Sequence, residues 1–170
     1  MQVGLTSVLK GINRELIINF KQYNNRAFYR CLVLKEGAKI LVAYDGSEYS
    51  EKALQEAIDI AKKFGGSVTL LHVYWDPNIG KFEETEIRDQ LTLQIMAEAE
   101  KKLVASNVAY ELRSERSDDA PHVILSTAIR DDFNCIAIGS RGMGGAKAWL
   151  LGSVSSRVVA ESHCPVIVAK

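Results

Sequence analysis

From Lys39 onward, short apolar runs alternate with longer segments whose apolar residues recur at helical spacing. Ile40-Leu41-Val42-Ala43-Tyr44 is a continuous apolar run ending at Asp45-Gly46, the pattern of a strand covered on both faces. Ala53, Leu54, Ala57, Ile58, Ala61 and Phe64 then follow a helical period, with Ser47 or Ser50 available as a cap and Gly65-Gly66 as a stop. Val68 to Val73 predicts a second strand. Beyond a loop around Pro77 and Gly80, a helix is predicted from Glu83 to Asn107, about 37 Å long at the usual rise per residue. Its apolar stripe reads Ile87, Leu91, Ile95, Ala99 and Leu103. Val108 to Arg113 predicts a third strand, and its alternation with charged residues suits a sheet edge. Pro121 opens a helix running to Phe133, Cys135 to Ile138 is a fourth strand, Val154 to Ser162 a fourth helix and Pro165 to Ala169 a fifth strand.

Five strands alternating with four helices predict an α/β fold, a doubly wound parallel sheet with helices on both faces. Ligands of such sheets bind outside the carboxyl ends of the strands, where strand order reverses. That rule directs attention to Asp45, to Val73 and Tyr74, and to the segment from Gly139 onward.

Residues 1–38 stand outside this alternation and read as a basic N-terminal extension, leaving 39–170 as the domain. Leu16, Ile17, Ile18 and Phe20 form one apolar cluster there, and Phe28, Tyr29, Cys31, Leu32, Val33 and Leu34 form another that reads as an extra strand. The segment is an appended hairpin or helix, a phosphate-backbone contact, or a stretch upstream of the natural start. The whole chain of 170 residues is 47% hydrophobic and 25% charged, which argues for one globular domain and against disorder or a membrane protein. Its zero net charge argues against a dedicated nucleic-acid binder. That zero is a partition: Lys10, Arg14, Lys21, Arg26, Arg30 and Lys35 against Glu15 and Glu36 make the extension +4 and the domain −4. Three cysteines without C-x-x-C spacing exclude a disulfide scaffold or zinc knuckle, and the expected location is the reducing cytoplasm. Cys135, inside an apolar run, reads as a small hydrophobe, with redox sensing as the alternative.

The most informative stretch is Gly139-Ser140-Arg141-Gly142, then nine residues, then Gly152-Ser153. Gly139 ends a predicted strand and Gly152-Ser153 opens a predicted helix. Glycine lets a backbone approach a ligand closely, and a helix N-terminus offers amides and partial positive charge to a phosphate. Ser153 would add a hydrogen bond to phosphate or simply cap the helix. Arg141 and Lys147 would supply charge, while Met143, Trp149, Leu150 and Leu151 would pin the loop to the domain. Asp45, beside the same switch point, would accept ribose hydroxyls or hold a metal; its alternative role is an Asx turn over Asp45-Gly46-Ser47.

With Lys39–Ser47, Leu71-His72-Val73 and the closing Ser162-His163-Cys164-Pro165-Val166-Ile167-Val168, this loop resembles the universal stress protein family. The loop fits that family's signature G-x-x-G, nine residues, G-S/T, and the resemblance extends over Ala38–Lys170. It implies strand order 3-2-1-4-5, ATP or AMP at the switch point with Mg²⁺ held mainly by the phosphates, and homodimers paired through the last strand (Val166, Ile167, Val168). By the same resemblance, Asp45 would contact the ribose or adenine side, Val73 would bind adenine through its backbone and Gly139 would lie near the ribose. Gly142, Gly152, Ser153 and Val154 would hold the phosphates. Two departures stand out: Asp119 replaces a frequent glycine two residues before the proline, and the extension lies outside the family pattern.

No G-x-x-x-x-G-K-S/T loop or G-x-S-x-G elbow is present, and His72, His122 and His163 have no ligand spacing. No residue is assigned a catalytic role. The expected function is a nucleotide-binding stress-response regulator, with weak ATP hydrolysis at most. The alternatives are an interaction module with an empty or cyclic-AMP-filled site, and a true ATPase or AMP-handling enzyme.

Overall fold

In the computed structural model the apolar runs form one parallel sheet; the structure describes residues 36–75, 82–143 and 151–170, with the backbone alone for 82–88. The strands are β1 (Lys39–Ala43), β2 (Ser67–Tyr74), β3 (Ala109–Arg116), β4 (Cys135–Gly139) and β5 (Val166–Ala169). The helices are α1 (Glu48–Phe64), α2 (Phe82–Ser106), α3 (Ala120–Arg130) and α4 (Ser153–Glu161). Strand order is β3-β2-β1-β4-β5, as the resemblance implies. The strand order reverses at β1, where β1 pairs β2 on one side and β4 on the other.

Alternate strand residues feed two cores, which is why the central strands are apolar throughout. Ile40, Val42, Val68, Leu70, Cys135 and Ala137 pack with α1 and with Met96, Ala99 and Leu103 of α2. Leu41, Ala43, Leu71, Ile136 and Ile138 face Val123, Ile124 and Ala128 of α3 and Val158 of α4. Cys135 and Cys164 belong to opposite cores, and burial pushes the Cys135 thiol up to about 12, which supports its reading as a packing residue. Among the described residues no helix is long and apolar enough to cross a membrane.

Local chemistry sets the ends of α1. The Ser47 hydroxyl accepts from the Ser50 amide at 3.2 Å, Glu48 and Glu51 sit in the first turn, and Lys62 and Lys63 in the last. Gly65 closes the helix at φ 60°, a left-handed conformation, with its amide bonded to the Ala61 carbonyl.

Three expectations need correction. The buried face of α2 is Thr92, Met96, Ala99 and Leu103, whereas Leu91 is 43% exposed. A stripe of strict four-residue steps advances about 40° per step around a 3.6-residue helix, so Leu91 rotates outward while Ile95, Ala99 and Leu103 of the same stripe stay on the core. Ile87 has no described side chain. Strand β3 continues through Ser114, Glu115 and Arg116, each registered against β2 as far as Tyr74, because ladder pairing rather than apolarity sets the length of an edge strand. Helix α3 stops at Arg130 instead of Phe133. Asp132 takes φ 54° and the Phe133 amide donates back to the Ala128 carbonyl at 3.0 Å, turning Phe133 into the core. The residues 1–35 and Lys147, Trp149 and Leu150 lie outside the described residues.

Candidate functional site

At the carboxyl ends of β1, β2 and β4 lies a cavity of about 370 Å³. Asp45, Val73, Gly139, Arg141, Gly142, Gly152, Ser153 and Val154 all line it, so the topology brings these sequence-selected residues together, Lys147 lying outside the described residues. Further wall residues were not foreseen: Leu71, Ile138, and Ala120 and Ile124 of α3 add apolar surface, and Ser50 and Ser155 add hydroxyls. A volume of this size is in the range of small-molecule sites.

Asp45 forms the Asx turn given as its alternative role and makes a second contact besides. One carboxylate oxygen accepts from the Ser47 amide at 3.0 Å, which is the Asx turn. The other accepts from the Met143 amide at 3.3 Å and so reaches across the site to the segment after β4. A Cβ built on Gly142 would fall inside contact distance of that second oxygen. Behind Asp45, the Tyr44 hydroxyl donates to Glu51, which also pairs with Lys102 of α2. Burial, then the Glu51 carboxylate, holds the Tyr44 phenol well above its ordinary range. His72 Nδ1 lies 2.8 Å from the Tyr44 carbonyl, fixing the end of β2 against the end of β1.

The described loop ends are held by backbone and hydroxyl groups, and of the apolar pins expected Met143 and Leu151 do not act as such. Met143 is 69% exposed and Leu151 38% exposed. Instead the Ser140 carbonyl accepts from the Gly152 amide at 2.8 Å and from the buried Ser155 hydroxyl at 2.9 Å, which clamps the two ends together. A serine two residues into a helix gives no distinctive pattern, so Ser155 could not be singled out in advance.

Helix α4 opens differently from α1 and α3. Those two are capped by the Ser47 and Asp119 side chains, whereas the α4 cap residue is Gly152 and carries no side-chain cap. Ser153 is therefore the first helical residue and not the cap. The leading amides of α4 have no intrahelical acceptor and face the cavity end of the helix together with its partial positive charge. Arg141 lines the same end, and Asp45 is the carboxylate among the described lining residues. The arrangement offers amides and one guanidinium to an anion, an apolar wall to a flat ring, and a carboxylate to hydroxyls. Among the described residues no group of three His, Cys, Asp or Glu is placed to hold a metal. Asp119, the departure noted above, caps α3 by accepting from the His122 amide at 3.0 Å and is bound by Arg157 of α4 at 2.9 and 3.0 Å.

Comparison with known proteins agrees with this architecture. The profile of the Universal stress protein family matches residues 38–170. The universal stress protein YxiE of Bacillus subtilis is 34% identical over 146 residues, covering 78% of this chain and 98% of YxiE. The solved structure of protein MJ0577 superposes with a TM-score of 0.68 at 29% identity, covering 79% of this chain and 96% of that one. A universal stress protein from Archaeoglobus fulgidus, solved in complex with dAMP, shares the fold with a TM-score of 0.62 at 23% identity, covering 79% of this chain and 99% of the other. The chain belongs to the universal stress protein family.

Proposed function

We propose that the cavity binds an adenine nucleotide, ATP foremost, and that the protein is a stress-response regulator whose occupied and vacant states differ in what they engage. The observation that carries this reading is the uncapped α4 N-terminus facing the same cavity as Arg141, with Asp45 across from them. In this reading the adenine lies along Val73, Leu71 and Ile124 and bonds the Val73 backbone, the ribose lies near Gly139 and Asp45, and the phosphates meet Gly142, Gly152, Ser153 and Val154. The dAMP bound by the Archaeoglobus relative supports the nucleotide class. Both oxygens of Asp45 already accept amides, so Mg²⁺ would be held mainly by the phosphates.

The same bonds favour binding over turnover. Phosphate transfer to water needs a group that orients the water, and Asp45 is committed to two backbone amides. Phosphate release by the purified protein is therefore expected to match that of a Gly152→Asp variant; a clearly faster wild type would make the protein an ATPase. Acid extraction of the purified protein, followed by identification of released nucleotide, tests the ligand class. ATP or AMP is the expected product. Cyclic AMP would transfer the reading to the cyclic nucleotide, and no nucleotide together with no calorimetric response to ATP and Mg²⁺ would overturn it.

A homodimer through β5 belongs to the same proposal. Strand β5 ends the sheet, and the Pro165 and Ala169 carbonyls accept from Ile136 and Ser140 of the β4 side. Along a strand the bonding direction alternates, so the Val166 and Val168 backbones point outward to a pairing partner.

A further inference from the structure

We propose that Tyr49 is a positioning residue for the phosphate end of the cavity, its ring carrying the Arg141 guanidinium; the inference rests on the nucleotide reading above. Arg141 Cζ lies 5.6 Å from the centroid of the Tyr49 ring, within the range of a cation–π contact. The two backbones beneath this pair are fixed to one another. Gly139 approaches α1 so closely that a Cβ there would sit 2.7 Å from the Tyr49 carbonyl carbon and 2.8 Å from the Ser50 nitrogen. Two residues on, the Ser47 hydroxyl donates to the Arg141 carbonyl at 3.3 Å. The backbones that carry the ring and the guanidinium are thus docked on one another at Gly139 and at Arg141 itself.

A second cation uses the same ring, Lys52 Nζ at 5.3 Å from its centroid. Lys52 is matched by Glu48 at 2.7 Å, and the pair lowers the Glu48 carboxyl and raises the Lys52 amine from their ordinary values. Glu48 answers the Lys52 charge, and Arg141 lines the cavity beside Gly142, Gly152 and Ser153. Stacking engages the face of a guanidinium and phosphate is recognised along its N–H edge, so one arginine can do both. Holding the group in place before the ligand arrives removes an ordering cost from binding. Tyr49 then matters for phosphates and not for the adenosine half of the ligand.

The test is calorimetric titration of the full-length protein and its variants with ATP and with adenosine. Tyr49→Leu should weaken ATP about two- to fivefold, the size of an exposed cation–π contact, and leave adenosine unchanged. Tyr49→Phe, which keeps the ring, should bind ATP as the wild type does. In an Arg141→Ala background, Tyr49→Leu should make no further difference. Where Tyr49→Leu fails to fold, Tyr49→Thr gives the same readout. Unchanged ATP affinity in Tyr49→Leu, an equal loss for adenosine, or an equal loss in Tyr49→Phe would each overturn the role of Tyr49 while leaving the nucleotide reading intact. A wild type that binds neither ligand would overturn both.

Discussion

Glycines 139, 142 and 152 border one cavity, yet a side chain at each would meet different surroundings. At Gly139 it would meet the α1 backbone at 2.7 and 2.8 Å, and at Gly142 the Asp45 carboxylate. At Gly152 the nearest atoms are 3.5 and 3.6 Å away, ordinary contact, and φ is −65°. Among the described residues nothing requires glycine at 152, and in the nucleotide proposal its smallness serves the ligand. Gly139→Ala should therefore cost about 1–3 kcal/mol of stability by overpacking. Gly142→Ala should displace Asp45 and weaken nucleotide binding about tenfold or more, since a hydrogen bond to a charged group contributes about 1.5–3 kcal/mol. Gly152→Ala should leave unfolding free energy within about 0.5 kcal/mol of wild type while weakening nucleotide binding. Chemical denaturation and titration of the three variants separate these outcomes. The glycines were legible in the sequence because their spacing is unusual, and Asp45 because it follows the first strand at the switch point. Ile124, Ala120 and Ser155 were not, because each occupies an unremarked helical position whose place at the cavity comes from the fold.

At the scale of elements, α1 was readable at both ends because Ser47 and Gly65 each carry a specific backbone chemistry. The buried face of α2 was legible only in part, since Ile95, Ala99 and Leu103 of the expected stripe pack on the core while Leu91 turns outward and Thr92 and Met96 take its place. The end of β3 was hidden because its pairing with β2 outlasts its apolar residues. An ion cluster joins that edge to α3: Arg113 bridges Glu111 and Asp131, and Arg130 Nε lies 3.0 Å from Asp131. Hydrogen bonds from Arg130 and then Arg113 hold the Asp131 carboxyl down to about 2. A carboxyl depressed in the folded state adds stability above its unfolded value, near 3.9, and loses it as pH falls toward 2. Asp119, lowered by the His122 amide and by Arg157, acts in the same direction. Asp131→Asn should therefore narrow the stability difference between pH 6 and pH 3, measured by urea unfolding. An unchanged difference would show that the cluster contributes nothing to acid sensitivity.

For the molecule as a whole, the helices on one face and the helices on the other are held by separate cores, and the site opens where the sheet changes direction. This much followed from the alternation of elements, because parallel strands with crossover helices leave few arrangements. The two sheet edges differ. Edge strand β3 is largely exposed and charged, which blunts pairing, whereas Val166, Ile167 and Ala169 of β5 are buried and Val168 is partly so. Val168→Pro, which removes an outward amide at an edge where proline is tolerated, should yield a folded monomer by light scattering where the wild type is a dimer. A wild-type monomer, or a variant that still dimerises, would place any pairing elsewhere.

In the proposed function an adenine nucleotide occupies the cavity with its phosphates at the α4 N-terminus. Calorimetric titration of ATP with Mg²⁺ into nucleotide-free protein, wild type beside Gly152→Asp, tests it most directly. Saturable binding at one site per chain is expected, with a loss of about tenfold or more in the variant, whose added carboxylate opposes the phosphates. Equal affinity in the two proteins, or no binding of ATP or AMP to the wild type, would contradict it.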